Sequence, residues 1–212
     1  MTFRTADEVG VKMTANGSLR AAGILRVVYK QVSAGDLRKL QAVSNDAPTG
    51  GGARDFRLPY REFDPVMRKL LPHTKQLKRV RDGGKKIVHF PCGPVKYRKP
   101  NGAGAIEVEL LWEDPTDTRP TEGRIPLIHK HFGLPKTNPE LGAAFFLLVQ
   151  HKTEVRAHYA YERDLRAGKW DGELTRHILS CKDSPSRRAK SSVQGYIDCV
   201  AEIEHCHGVV DD

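Results

Sequence analysis

No stretch of this sequence approaches the roughly 20 consecutive apolar residues that span a bilayer. Its opening, MTFRTADEVGVKMTANGSLR, lacks the continuous apolar segment of a signal peptide. A cytoplasmic protein without a membrane partner is expected. Cysteine is scarce: Cys92, Cys181, Cys199 and Cys206 contain no Cys-x-x-Cys pair, which speaks against a disulfide framework or a zinc ribbon and predicts free thiols. Acid is short against base, with 26 Asp and Glu facing 35 Lys and Arg, a net charge of +9 and a pI near 9.5. Such a bias concentrates polyanions near the surface, so nucleic acid is the leading partner class.

Catalytic signatures are missing too. The triple glycine in PTGGGARDFRLPY (residues 48–60) is not followed by Gly-Lys-Ser/Thr, and a strand rather than a helix comes next, so it is no phosphate-binding P-loop. Glu107-Val-Glu109 lacks the lysine that completes a metal-dependent nuclease step, and His129-Lys130-His131 and His151-Lys152 miss the His-x-Lys spacing of a phospholipase-D type site. Cys199, His205, Cys206 and His207 are badly spaced for a zinc knuckle and read as an exposed helix end. The chain is expected to be no enzyme, and to carry no cofactor or metal.

What is present is a mainly β pattern with short helices, an α+β arrangement. ILRVVYKQV (residues 24–32) and DFRLPY read as strands. FDPVMRKLLP reads as a short helix capped by Asp64 with Pro65 at its first position. After the basic run KQLKRVRDGGKK come KIVHFPCG, AIEVELLW and GRIPLI as further strands; Ile106, Val108 and Leu110 alternate with Glu107 and Glu109, as in a strand with one wet face. AAFFLLVQ is a central strand and EVRAHYAY its partner. The expected organisation is an irregular lead-in over 1–23, one domain over 24–179, a basic linker over 180–192, and a C-terminal amphipathic helix and tail over 193–212, with Val193, Tyr196, Ile197, Val200 and Ile203 on one face.

Two polar segments hold candidate binding residues. The first, residues 48–57, offers Thr49, Arg54, Asp55 and Arg57 behind its glycines. The second, residues 114–131, carries Arg119, Glu122, Arg124, Lys130 and His131 on what reads as a loop. Arginine suits bidentate contact with guanine and glutamate accepts from the cytosine amino group, so this mixture points to base readout; Lys130 and His131 point to phosphate.

Thr49-Gly50-Gly51, Leu58-Pro59 and Leu70-Leu71-Pro72, followed by Thr118-Arg119-Pro120-Thr121-Glu122-Gly123-Arg124-Ile125 and the apolar run from Gly142 to Val149, stand in an order that resembles the N-terminal effector-binding domain of the EcoRII restriction endonuclease. The resemblance covers roughly residues 24–165. It implies a DNA-binding pseudobarrel whose two arms grip the major groove, and hence a specific duplex-DNA-binding protein: the recognition module of a restriction-modification or other defence system, working with a partner nuclease subunit, or a reader of modified DNA. Gly52-Ala53-Arg54-Asp55 departs from the family's short His-containing step, and its catalytic domain has no counterpart. A small metal-dependent endonuclease and a binder of structured RNA are the competing expectations.

Overall fold

The computed structural model describes residues 19–20, 22–41, 55–81, 84–98, 104–133, 135, 138–152, 154–186 and 192–209. Within them the order is β1 (Ile24–Gln31), α1 (Ala34–Gln41), β2 (Phe56–Pro59), α2 (Tyr60–Leu70), β3 (His73–Arg81), β4 (Gly84–Arg98), β5 (Ala105–Leu111), β6 (Glu122–Ile125), α3 (Ile128–Phe132), a 3-10 turn at Pro139–Leu141, β7 (Ala144–His151), β8 (Glu154–Tyr161), α4 (Glu162–Arg166), α5 (Gly172–Asp183), β9 (Gln194–Asp198) and β10 (Ile203–Cys206). The architecture is mostly β with short helices. One open, mixed sheet runs β10-β9-β1-β7-β8-β4-β3 with β5 paired to β4, and β2 and β6 form a separate two-stranded ladder. All pairings are antiparallel except β4 with β8. No helix among the described residues is long and apolar enough to cross a membrane.

The unbroken apolar run AFFLLV has a simple cause. Successive strand side chains face opposite ways, and β7 has a core on each side. Phe146 and Leu148 pack with α2, α3, β2 and β6, whereas Phe145, Leu147 and Val149 pack with α4 and α5. A strand with both faces covered has no polar positions to alternate with; each large side chain buried there stabilises by about 1.5–3 kcal/mol. β5 is the opposite case: Glu107 and Glu109 are exposed while Leu110 is buried, as its alternation predicts.

Several expectations are corrected. The helix over FDPVMRKLLP starts four residues earlier than Asp64, with Tyr60 as its first residue. The Tyr60 amide donates to Thr121 O (2.8 Å), which anchors that end on the second arm. Pro65 therefore lies inside the helix, and Asp64 caps nothing: its carboxylate accepts from Arg68 Nε (2.8 Å) and Trp112 Nε1 (3.0 Å). The linker expected over 180–192 is in part α5, which runs to Asp183.

The C-terminal helix is absent as well: residues 194–206 form the β9–β10 hairpin, with β9 paired to β1. Long-range ladder bonds and a turn anchored on buried Asp198 override the helical spacing there. Asp198 accepts from the amides of Val200 and Ala201 and pairs with Arg26 (3.2 Å) and Lys69 (2.8 Å). Of the five residues of the supposed stripe, Val193 is buried just before β9 and Ile197 within it, while Val200 and Ile203 are 54% and 46% exposed. Folding this segment against α5 also joins two of the cysteines. Cys181 and Cys206 form a disulfide, leaving Cys92 and Cys199 as buried free thiols.

Candidate nucleic-acid interface

The two sequence-defined arms meet. β2 and β6 pair antiparallel, with Arg57 opposite Arg124 and Pro59 opposite Glu122. In both strands the apolar positions turn inward (Phe56, Leu58 and Ile125 are buried), so Arg57, Glu122 and Arg124 share the outer face. Gly123 faces inward between Glu122 and Arg124. A Cβ there would run into the ring of fully buried Trp112, so the position must be glycine for the ladder to close over the core.

Placing two arginines opposite one another demands counter-charge, and three carboxylates supply it. Arg124 Nε donates to Glu113 Oε2 (2.7 Å), and its Nη1 lies 3.5 Å from Asp55. Arg57 lies 3.6 Å from Glu122 and 4.0 Å from Asp55. Glu113 is only 2% exposed and is locked by backbone bonds in both directions with Arg124. Glu113 has no signal of its own in the sequence, because nothing local indicates that residues 113 and 124 form a bridge. The arm arginines thus have fixed directions, about a quarter exposed, within a cluster in which carboxylates outnumber them by one.

Arg119 is exposed in the turn before β6, its amide bonded to Thr116 O (2.8 Å). Lys130 and His131 do not lie on a loop. They belong to α3, held by Ile128 and Phe132, which are four residues apart and both buried. Thr49, Arg54 and the triple glycine lie outside the described residues.

A second cationic feature stands where the sequence showed only a basic run. β3 pairs with β4 over nine rungs, His73 with Cys92 through Arg81 with Gly84. β4 gains its other neighbours, β5 and β8, only from Cys92 onward. The stretch beyond is thus a two-stranded ribbon about 30 Å long at roughly 3.4 Å per residue. Its strands hold Lys75, Lys78, Arg79, Arg81, Lys85 and Lys86 and no acidic residue. Lys78 and Lys85 are exposed, as are Gln76, Ile87 and His89; at the base Lys75 pairs with Glu109. Residues 86–93 of β4 were expected as a strand, but β3 was missed because its run of charged residues hides the period-2 signal.

The end of the chain divides its ligating side chains between two faces. In β10 alternation sends Cys206 toward Cys181 and His177 (Sγ to Nε2, 3.7 Å, for Cys181), with His177 Nδ1 bonded to Glu204 (2.9 Å). His205 and His207 turn the other way, onto Glu62 of α2. No protein-family model, no curated protein and no solved structure matches this chain.

Proposed function

We propose that this chain is a specific duplex-DNA-binding protein, the recognition module of a restriction-modification or other defence system, and that the sheet is used as a DNA-binding pseudobarrel of the kind suggested by the likeness to the EcoRII effector-binding domain. The observation that carries this reading is the β3–β4 ribbon, whose two strands up to Cys92 carry six lysines and arginines and no acid, Asp82 lying in the connection between them. The major groove, about 12 Å wide, admits such a ribbon, and phosphates on either side meet its cations. The net charge of +9 adds long-range attraction.

In this reading the ribbon positions the protein and the β2–β6 arms read sequence. Arg57, Glu122 and Arg124 leave one face, and Arg119 projects from the turn beside them. Asp55 and Glu113 hold the Arg124 guanidinium in one direction, which is what bidentate contact with a base edge needs.

Fluorescence anisotropy tests this with duplex DNA, methylated duplex, single strands and structured RNA over a range of salt. Duplex should win, and log affinity should fall linearly with log salt, about 0.9 counterions being released per phosphate neutralised. Lys78→Ala with Lys85→Ala should flatten that slope by about two units, one for each phosphate that is no longer neutralised. A slope unchanged by the double substitution, or preference for structured RNA, would refute the assignment.

A further inference from the structure

We propose that Glu62, His205 and His207 form a site for one divalent transition-metal ion of the zinc class. His205 Nε2 and His207 Nδ1 each lie 2.7 Å from the same oxygen, Glu62 Oε2. The three ligand atoms fall within 4.8 Å of one another, and all three residues are half-buried. Two imidazoles and one carboxylate are the nitrogen–oxygen donor set that binds zinc and its neighbours, and three protein ligands leave a coordination position open.

The backbone holds the donors in place before any ion arrives. His205 and His207 are two residues apart at the end of β10, so both face α2. The His205 ring lies against Tyr196 (centroids 5.1 Å) and Phe63 (5.9 Å). The His207 amide donates to Gln194 O (2.9 Å), which extends the ladder past Cys206. Glu62 sits in the first turn of α2, whose start is fixed by the Tyr60 to Thr121 bond. An ion about 2.0–2.2 Å from each donor needs them only slightly further apart than they stand. The ion takes the lone pairs of the two ring nitrogens that face the carboxylate, and each imidazole keeps its N–H on the other nitrogen.

The other candidate group, His177 with Cys181 and Cys206, differs in kind, because its two sulfurs are joined to each other. The Glu62 site opens instead onto a cavity of about 780 Å³, lined also by Tyr60, Arg61 and Gln194. Water or an anionic oxygen ligand completes the ion's coordination from that side. None of this depends on DNA binding, so either proposal can fail alone.

The test is a titration of the full chain with zinc, in competition with a chromogenic chelator, and with cobalt, followed by absorption. One equivalent should bind. The cobalt spectrum should show ligand-field bands of nitrogen and oxygen ligation without a thiolate charge-transfer band. Glu62→Gln, which keeps the shape of the side chain, should weaken binding by more than about 100-fold, the upper limit for residues that only orient a ligand. Cys181→Ser with Cys206→Ser should leave affinity and spectrum unchanged. Thermal melts show whether each variant is folded, and His207→Gln replaces Glu62→Gln if the latter is not. No saturable binding, a thiolate band, or wild-type affinity in a folded Glu62→Gln or His207→Gln protein would overturn the site.

Discussion

Arg124 illustrates how much a single side chain owes to its surroundings. The sequence places it two residues after Glu122 and so on the same face of an extended strand, and the ladder agrees. What the sequence does not reveal is Glu113, buried beneath it at 2% exposure and bonded through Nε at 2.7 Å. Removing the guanidinium takes an ion-pair partner from a buried carboxylate, which for a fully enclosed pair costs about 3–5 kcal/mol. Arg124 keeps 27% of its side chain exposed, so Arg124→Ala should cost nearer to about 2 kcal/mol by urea denaturation. Adding Glu113→Gln should recover more than half of that loss. If Arg124→Ala leaves the denaturation midpoint where it was, the pair contributes nothing to the fold. Any loss of DNA affinity in Arg124→Ala has to be read beside this number, since a loosened arm weakens binding whatever Arg124 touches.

The elements fall into two groups by how their pattern arises. β5, β7 and β8 were legible because their burial largely alternates or is nearly complete, and β1 because it is rich in β-branched residues. The β9–β10 hairpin was not. Its apolar residues also fit a helical spacing, and only pairing with β1 chooses the strand. Gly195 sits where a Cβ would meet both the Tyr29 hydroxyl and the carbonyl of His205, so the hairpin depends on that glycine. The Cys181–Cys206 disulfide ties β10 to α5 across 25 residues. Closing a loop of that size contributes about 3 kcal/mol. For a chain of this length that corresponds to a melting-temperature loss of about 6–12 °C in Cys206→Ser or under reductant. Identical melts with and without reductant would show that the link does not bear on stability.

At the scale of the whole molecule, buried histidines couple stability to acidity. Burial, together with the positive charges of Arg156 and His151, lowers the His158 pKa from 6.5 to about 4. Burial and Arg156 also lower His151, and burial lowers His177 although Glu204 opposes it. Below pH 6.5 the unfolded chain takes up protons that the native His158 refuses, so protonation favours unfolding. Stability is then complete above pH 6.5 and should decline as pH falls toward 4. Glu62 acts in the same direction at lower pH. Burial works to raise its carboxyl, but hydrogen bonds from His207 and His205 outweigh that and hold it below the usual range, so its contribution is lost as it becomes protonated. His158→Phe retains an aromatic edge for Trp170, which lies 5.8 Å away between centroids. In urea titrations across this interval the variant should show a shallower decline than the wild type. Parallel curves would place the acid sensitivity elsewhere.

The sequence by itself determined the net charge, the mainly β composition, the central β7 strand and the outward face of each arm, because these follow from local alternation and from residue counts that folding cannot change. Tertiary structure alone decided that Glu113 lies under Arg124, that the basic run becomes a two-stranded ribbon, and that β10 sends Cys206 one way and His205 and His207 the other. Each of these joins residues far apart in the chain: the partner of His205 is Glu62, 143 residues earlier. Such pairs leave no local periodicity, since it is the order of strands in the sheet, rather than the spacing of residues along the chain, that brings them together.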